Sequence, residues 1–127
     1  PRGSRPEDVR PVLNRNDILE LQKQVESVRV DGVLVDYILS ILTATRHCPH
    51  LSLGVSPRGG LIYQQAARAR ALVQGRDYCI PDDIKQLAVP VLCHRVIPQS
   101  HQGALQRRYA DTAAIIRDLI DQVGIPV

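Results

Sequence analysis

Val33, Leu34, Tyr37, Ile38, Ile41 and Leu42 recur at the spacing of one face of an α-helix, and no other pattern in the chain constrains its fold as strongly. Asp31 can cap the start of that helix with its side-chain oxygen. Pro49 disfavours helical geometry at the residue before it, so the helix should end near His47. The same period continues on both sides. Asn14 or Asn16 can cap a first helix carrying Ile18, Leu21, Val25 and Val28, with Asp17 in its early turn. A third helix should run from about Pro57 to Gln74 and stop at Gly75. Its interior is mostly small (Ala66, Ala67, Ala69, Ala71), which permits close packing, while Leu61, Ile62, Leu72 and Val73 supply larger contacts. Pro81 opens a fourth helix whose dipole Asp82 and Asp83 complement, and Pro90 is expected to break or kink it. A last helix, from about Asp111 to Val123, carries Ile115, Ile116, Leu119, Ile120 and Val123 before Gly124. Residues 48–55 and 96–108 read as loops, and alternation of the β type is confined to Arg95-Val96-Ile97. The expected fold is all-α, a bundle of four to six helices.

At 127 residues the chain is one domain, which we place at residues 9–127, with residues 1–8 read as a vector-derived remnant or linker. No apolar run approaches the roughly 18 residues of a membrane span. The net charge of +3 is mild and dispersed. With no Phe or Trp and four scattered tyrosines, the chain lacks the stacking platforms of many nucleic-acid readers. The nearest basic patch is Arg68, Arg70 and Arg76, with Arg107-Arg108 further on. Three cysteines (Cys48, Cys79, Cys93) without a CxxC pair suit reduced thiols in a cytoplasmic protein. His47-Cys48-Pro49-His50, with Cys93-His94 later, matches no structural-zinc spacing, and no metal site is expected.

The stretch Gly54-Val55-Ser56-Pro57-Arg58-Gly59-Gly60 holds the chemistry. Ser56 is a good N-cap, and Pro57 suits the first helical position because the N–H it lacks would be unpaired there anyway. Arg58 then puts a positive charge at the positive end of the helix dipole, costing roughly 0.3–1 kcal/mol if nothing compensates. A bound anion reverses that sign, because helix-end amides and a guanidinium together suit a phosphate. The competing reading is a solvated arginine that points away. Gly59 and Gly60 either permit close backbone approach or let the turn adjust, at about 0.8–1 kcal/mol each relative to alanine in a helix interior. Tyr37 reads as a core ring, with an adenine contact as the other reading. Tyr78 reads as a turn anchor, Asp82 and Asp83 as helix-start residues, and Arg46 and Arg76 as solvated surface or inter-subunit residues.

Taken in order, several blocks resemble one family. They are Asp31 to Tyr37 with its helix ending Ala44-Thr45-Arg46, then Gly54 to Arg58, then Ala66-Ala67-Arg68-Ala69-Arg70-Ala71, then Gly75-Arg76-Asp77-Tyr78. Pro81-Asp82-Asp83-Ile84-Lys85 and Pro90-Val91-Leu92-Cys93-His94-Arg95 follow. Together they resemble the carboxyl-terminal helical lid of MoxR-type AAA+ ATPases, relatives of the magnesium chelatase motor subunits. The resemblance covers roughly residues 9–97, and the tail from Ile120 to Pro126 looks like the family's final helix. It implies that Arg58 is the second sensor, reaching nucleotide phosphates, with Ser56 and Pro57 aiming the helix end. It also implies that the intact protein binds ATP with magnesium and works as a bacterial, cytoplasmic hexameric ring. The lid would there contact its own AAA+ core and neighbouring subunits, and the ring would remodel an unidentified client like a chaperone.

Two features depart from that pattern: the Gly59-Gly60 pair, and residues 98–110, which match nothing in it. The sequence has no Gly-x-x-x-x-Gly-Lys-Ser/Thr phosphate loop and no apolar run ending in paired acids. We therefore expect no catalytic residue in this chain, no ATP hydrolysis by it alone, no tightly held cofactor, and a monomer. The alternative is a stand-alone helical adaptor using the tail around Ile125 and Val127 and the segment 98–108. A third reading is a DNA-binding domain with Arg68, Arg70 and Arg76 on phosphates.

Overall fold

The computed structural model describes residues 5–99 and 105–125, with the side chains of residues 105–107 left aside. Among the described residues there are five α-helices: α1 (Arg15–Ser27), α2 (Gly32–Arg46), α3 (Pro57–Val73), α4 (Pro81–Leu92) and α5 (Leu105–Gln122). The helical bundle expected from the sequence is what forms. A pair of very short antiparallel strands is added to it, β1 (Leu51–Leu53) and β2 (Ile97–Pro98), with Leu51 opposite Pro98 and Leu53 opposite Ile97. Gln99 N–H donates to His50 C=O at 2.9 Å, and Ser52 Oγ donates to Ile97 C=O at 3.1 Å. This clip corrects the reading of both segments as loop. Residues 1–4 of the expected remnant or linker, residues 100–104 of the expected loop, the Arg107 side chain and residues 126–127 lie outside the described residues.

The core is built around α2, whose Leu34, Tyr37, Ile38, Ile41, Leu42 and Thr45 are all buried. Asp31 caps it through Val33 N–H at 3.0 Å, and Val33 itself lies outside the core. α3 packs on both α2 and α4 along a narrow face of Gly59, Gly60, Tyr63, Ala67 and Ala71. Small residues at this spacing let the helices approach closely. The one large residue among them, Tyr63, is fully buried and donates its hydroxyl to Ile84 C=O on α4. Burial pushes the phenol far above its ordinary pKa. α3 ends in the glycine-terminated way expected: Gly75 has φ +79°, its N–H donates to Leu72 C=O, and Arg76 N–H donates to Ala71 C=O.

Four sequence expectations are corrected. Of the face read from the sequence, Val28 just past α1 is buried and Val25 half-buried, but no residue of α1 itself is fully buried and Ile18 and Leu21 are partly exposed. α1 is capped as expected, with Asn14 Oδ1 accepting from Asp17 N–H at 2.8 Å. It packs along α3 and is further tied just past its end, where Arg29 and Tyr78 form a two-hydrogen-bond parallel bridge (Arg29 N–H to Asp77 C=O, Cys79 N–H to Arg29 C=O, both 2.9 Å). Second, α4 is not broken at Pro90 but runs through it to Leu92, with Ile84, Ala88 and Leu92 on one buried face and Pro90 on the outside. Pro90 removes one ladder bond near the helix end, where little of the helix remains to be interrupted. Third, α5 begins at Leu105, earlier than Asp111, and buries Thr112, Ala113, Ile116, Leu119 and Ile120.

The fourth correction concerns charge. Asp83 is fully buried and is the anchor of a knot. Arg76 grips it with both terminal nitrogens (2.6 and 2.7 Å), Arg70 reaches it at 2.6 Å, and its Oδ2 accepts Ile80 N–H at 2.8 Å. Arg70 and Arg76 are therefore structural counter-ions of a buried acid, where the sequence suggested a basic patch and a solvated surface arginine. The guanidinium of Arg76 also lies 5.9 Å from the Tyr78 ring centroid and donates to Tyr78 C=O. All three cysteines are buried as free thiols: Cys48 just after α2, Cys79 just before α4, and Cys93 just after α4.

Candidate functional site

The head of α3 is held in place from below. Thr45, buried in α2, donates its hydroxyl to Leu42 C=O (2.7 Å) and accepts Val55 N–H (3.0 Å). Arg46 Nε donates to Val55 C=O at 3.0 Å, so both backbone polar groups of Val55 are tied to neighbouring residues of α2. Gly54 passes so close to α2 that a Cβ there would lie 2.7 Å from both Arg46 Cα and Arg46 N. Val55 is itself fully buried.

From this fixed point the chain turns into the helix. Ser56 is extended (φ −73°, ψ 161°), and its Oγ accepts Gly59 N–H at 3.2 Å. Pro57 occupies the first helical position and Arg58 the second. Gly59 and Gly60 are buried; a Cβ on Gly59 would meet Val55 Cγ1 at 2.5 Å, and one on Gly60 would meet Leu42 Cδ2 at 2.6 Å. Of the two readings of the glycine pair, close approach is the one observed. Arg58 points out of this seat, exposed, with no ion-pair or hydrogen-bond partner among the described residues. It is thus a free guanidinium on the first turn of a helix, geometry that suits a phosphate oxygen. Replacing Ser56 with alanine removes the cap and is expected to cost about 1 kcal/mol, read as a lower urea midpoint at unchanged slope.

Other candidate residues fall elsewhere. Tyr37 is buried to 2% exposure, which removes its ring face from any adenine. Burial and the nearby charge of Asp121 raise its pKa. Among the described residues no cluster of three histidine, cysteine or acidic side chains is placed to hold a metal. Thr45 had no signal in the sequence that marked it as the seat of the helix head, and Gly54 stood in the stretch singled out without a sign that it would press against α2. Asp83 had one, an acid three residues past an Ile80-Pro81 helix start, but capping alone accounts for that position equally well.

Comparison with known proteins gives a consistent set. The family profile described as AAA lid domain matches residues 43–119. The chain is 40% identical over 123 residues to the uncharacterized protein YeaC of Bacillus subtilis, covering 95% of this chain and 37% of that protein. It is 36% identical over 104 residues to Chaperone MoxR1 of Mycobacterium tuberculosis, covering 75% of this chain and 28% of the relative. Over 73 residues it is 46% identical to Protein MoxR of Methylorubrum extorquens, covering 58% of this chain and 21% of the relative. Among solved structures, a candidate ATPase from Cytophaga hutchinsonii superposes with a TM-score of 0.79 at 27% identity, over 94% of this chain and 38% of that one. The chain thus spans about a third of the length of the first relatives it matches.

Proposed function

Because the chain belongs to the AAA lid domain family and has MoxR proteins among its relatives, we propose that it is the nucleotide-sensing lid of a MoxR-type AAA+ ATPase. The domain is taken as residues 9–127. The observation that carries the reading is Arg58: exposed and unpaired among the described residues, on the first turn of a helix whose head is locked to α2. In the intact protein ATP with magnesium would sit between lid and core, and would supply the negative charge that Arg58 lacks here. The guanidinium would hold the terminal phosphate; when that contact is released, the lid is free to rotate as a rigid body and shift the neighbouring subunit of a ring. Ser56 and Pro57 aim the helix end and touch no ligand. Coupling to chaperone-like remodelling of a protein client, in a bacterial cytoplasm, completes the proposal.

Two further features bear on this reading and its rivals. Exposed apolar side chains on α1 suit a domain that packs against more protein, which a lid on its core does. A stand-alone adaptor would need a comparable surface, so the nucleotide experiment separates the two. Arg70 and Arg76, which a DNA-binding domain would spend on phosphates, are already committed to Asp83. No helix among the described residues is long and apolar enough to cross a membrane.

The test is calorimetry of ATP and ADP binding to the full-length protein, wild type against Arg58→Ala, with hydrolysis rates alongside. The loss of one charge-assisted contact should weaken ATP binding about tenfold and leave ADP binding nearly unchanged. Equal ATP affinity and equal turnover in the two proteins would remove Arg58 from the role of sensor and favour the adaptor.

A further inference from the structure

Beside the head of α3, on a side that Arg58 does not line, lies a cavity of about 530 Å³ bounded by Arg46, Gly54, Ser56, Pro57, His94 and Arg95, with Leu53 and Val55 completing its wall. No acidic residue borders it. Arg95 is half-buried, the stem of its side chain runs against the first turn of α3 (Cδ 3.4 Å from where a Gly59 Cβ would be), and its buried Nε has no partner among the described residues. Arg46 uses Nε on Val55 C=O, and no partner is seen among the described residues for its two terminal nitrogens. Two arginines and a histidine therefore line one cavity that no acidic residue borders.

That arrangement is unfavourable as it stands. A buried N–H without an acceptor forfeits roughly 1–3 kcal/mol of hydration. The position is nevertheless built rather than accidental. Arg95 is held by the turn Cys93–Arg95, by buried Val96 after it and by the β1–β2 clip, and Arg46 by its bond to the loop that delivers Ser56. An oxyanion in the cavity would supply the missing counter-charge and accept from terminal guanidinium nitrogens for which no partner is seen among the described residues, and the planar fork of arginine matches phosphate oxygens in particular. We infer that this cavity is a phosphate-group site, held by Arg46 and Arg95 with His94 as a third donor, separate from the contact made by Arg58.

The experiment is a titration of the ¹⁵N-labelled 127-residue chain with sodium phosphate, with ADP and with sodium acetate at constant ionic strength, following amide shifts. Phosphate is expected to produce saturable shifts at Gly54, Val55, Ser56 and Arg95. Arg95→Gln should weaken that binding about tenfold, and His94→Ala, at an exposed side chain, about threefold. Arg95→Lys, which keeps the charge but loses the fork, should recover part of the loss. Arg58→Ala should leave it unchanged, so this site and the sensor role of Arg58 stand or fall separately. Competition by ADP at the same amides would identify a nucleotide as the source of the phosphate, and its absence would identify free phosphate; either keeps the site. No saturable shift, or one that survives in both Arg95→Gln and His94→Ala, overturns it. An equal response to acetate also overturns it, by assigning the cavity to a carboxylate from another protein.

Discussion

Asp83→Ala is expected to lower the unfolding free energy by about 3 kcal/mol, roughly a hundredfold in the folding equilibrium, near the low end for breaking a buried ion pair. Asp83 has no exposure and accepts from Arg70, Arg76 and the Ile80 amide. Without it, two arginines from different segments face each other across the space it filled, and the first turn of α4 loses its cap. The value sits low in the range because both arginine side chains still reach water at about one-fifth exposure (24% and 19%) and can partly resolvate. Urea unfolding of the two proteins measures it directly.

The same variant has a pH signature. Burial pushes the Asp83 carboxyl up, but hydrogen bonds from Arg76, the Ile80 amide and Arg70 outweigh it and hold the pKa below the ordinary carboxylate value of 3.8. A folded pKa below the unfolded one gives stability that is present above the unfolded value and lost as pH falls through the folded one. The gap in stability between wild type and Asp83→Ala should therefore be full at neutral pH and shrink on acidification below about pH 4. A gap independent of pH would mean that the knot contributes through packing rather than charge.

Gly54→Ala is expected to cost about 2 kcal/mol, the ordinary size of an overpacking defect. The reason is what the new methyl would meet: the Cα and N of Arg46, both at 2.7 Å, in the backbone of α2. A helix backbone cannot rotate out of the way as a side chain can, so the loop must move instead. The loop carries Val55, whose two backbone bonds to Thr45 and Arg46 would then lengthen. Gly60→Ala is the control: its methyl meets only Leu42 Cδ2, the tip of a side chain that can change rotamer, so its melting temperature should fall less. On the proposed role of Arg58, Gly54→Ala in the full-length protein should also weaken ATP binding, because that loop sets the head of α3. Equal melting temperatures for Gly54→Ala and wild type would show that the α2–loop contact yields freely.

Helix limits were legible wherever local chemistry set them. Asp31, Ser56, Pro57, Pro81 and Gly75 each act within one turn of their own position, and each marks the boundary that the sequence suggested. What the sequence hid was non-local. Strands of three and two residues are too short to display a period of two, and their pairing joins Leu51 to Pro98 across the chain. The apolar period of α1 reads the same whether its partner lies in this chain or outside it, which is why Ile18 and Leu21 looked like core. Asp83 looked like a helix-start acid because its arginines sit seven and thirteen positions away, set there by the turn at Gly75. At the candidate site, Ser56, Pro57 and Arg58 were visible as a contiguous stretch. Thr45 and Arg95 meet that stretch only through the fold, and nothing in their own neighbourhoods predicted it.

The three buried thiols turn this chain into its own opening gauge. Cys48 sits at the seam between α2 and the clip, Cys79 beside the Asp83 knot, and Cys93 at the start of the turn that carries Arg95. Burial raises the pKa of both Cys79 and Cys93, so the reactive thiolate is scarce until water enters. Alkylation of each must then wait for its own seam to part, and the rate at each cysteine reports the free energy of that local opening. A reagent that labels Cys93 before Cys79 would show the Arg95 turn loosening while the knot at the foot of α3 stays shut.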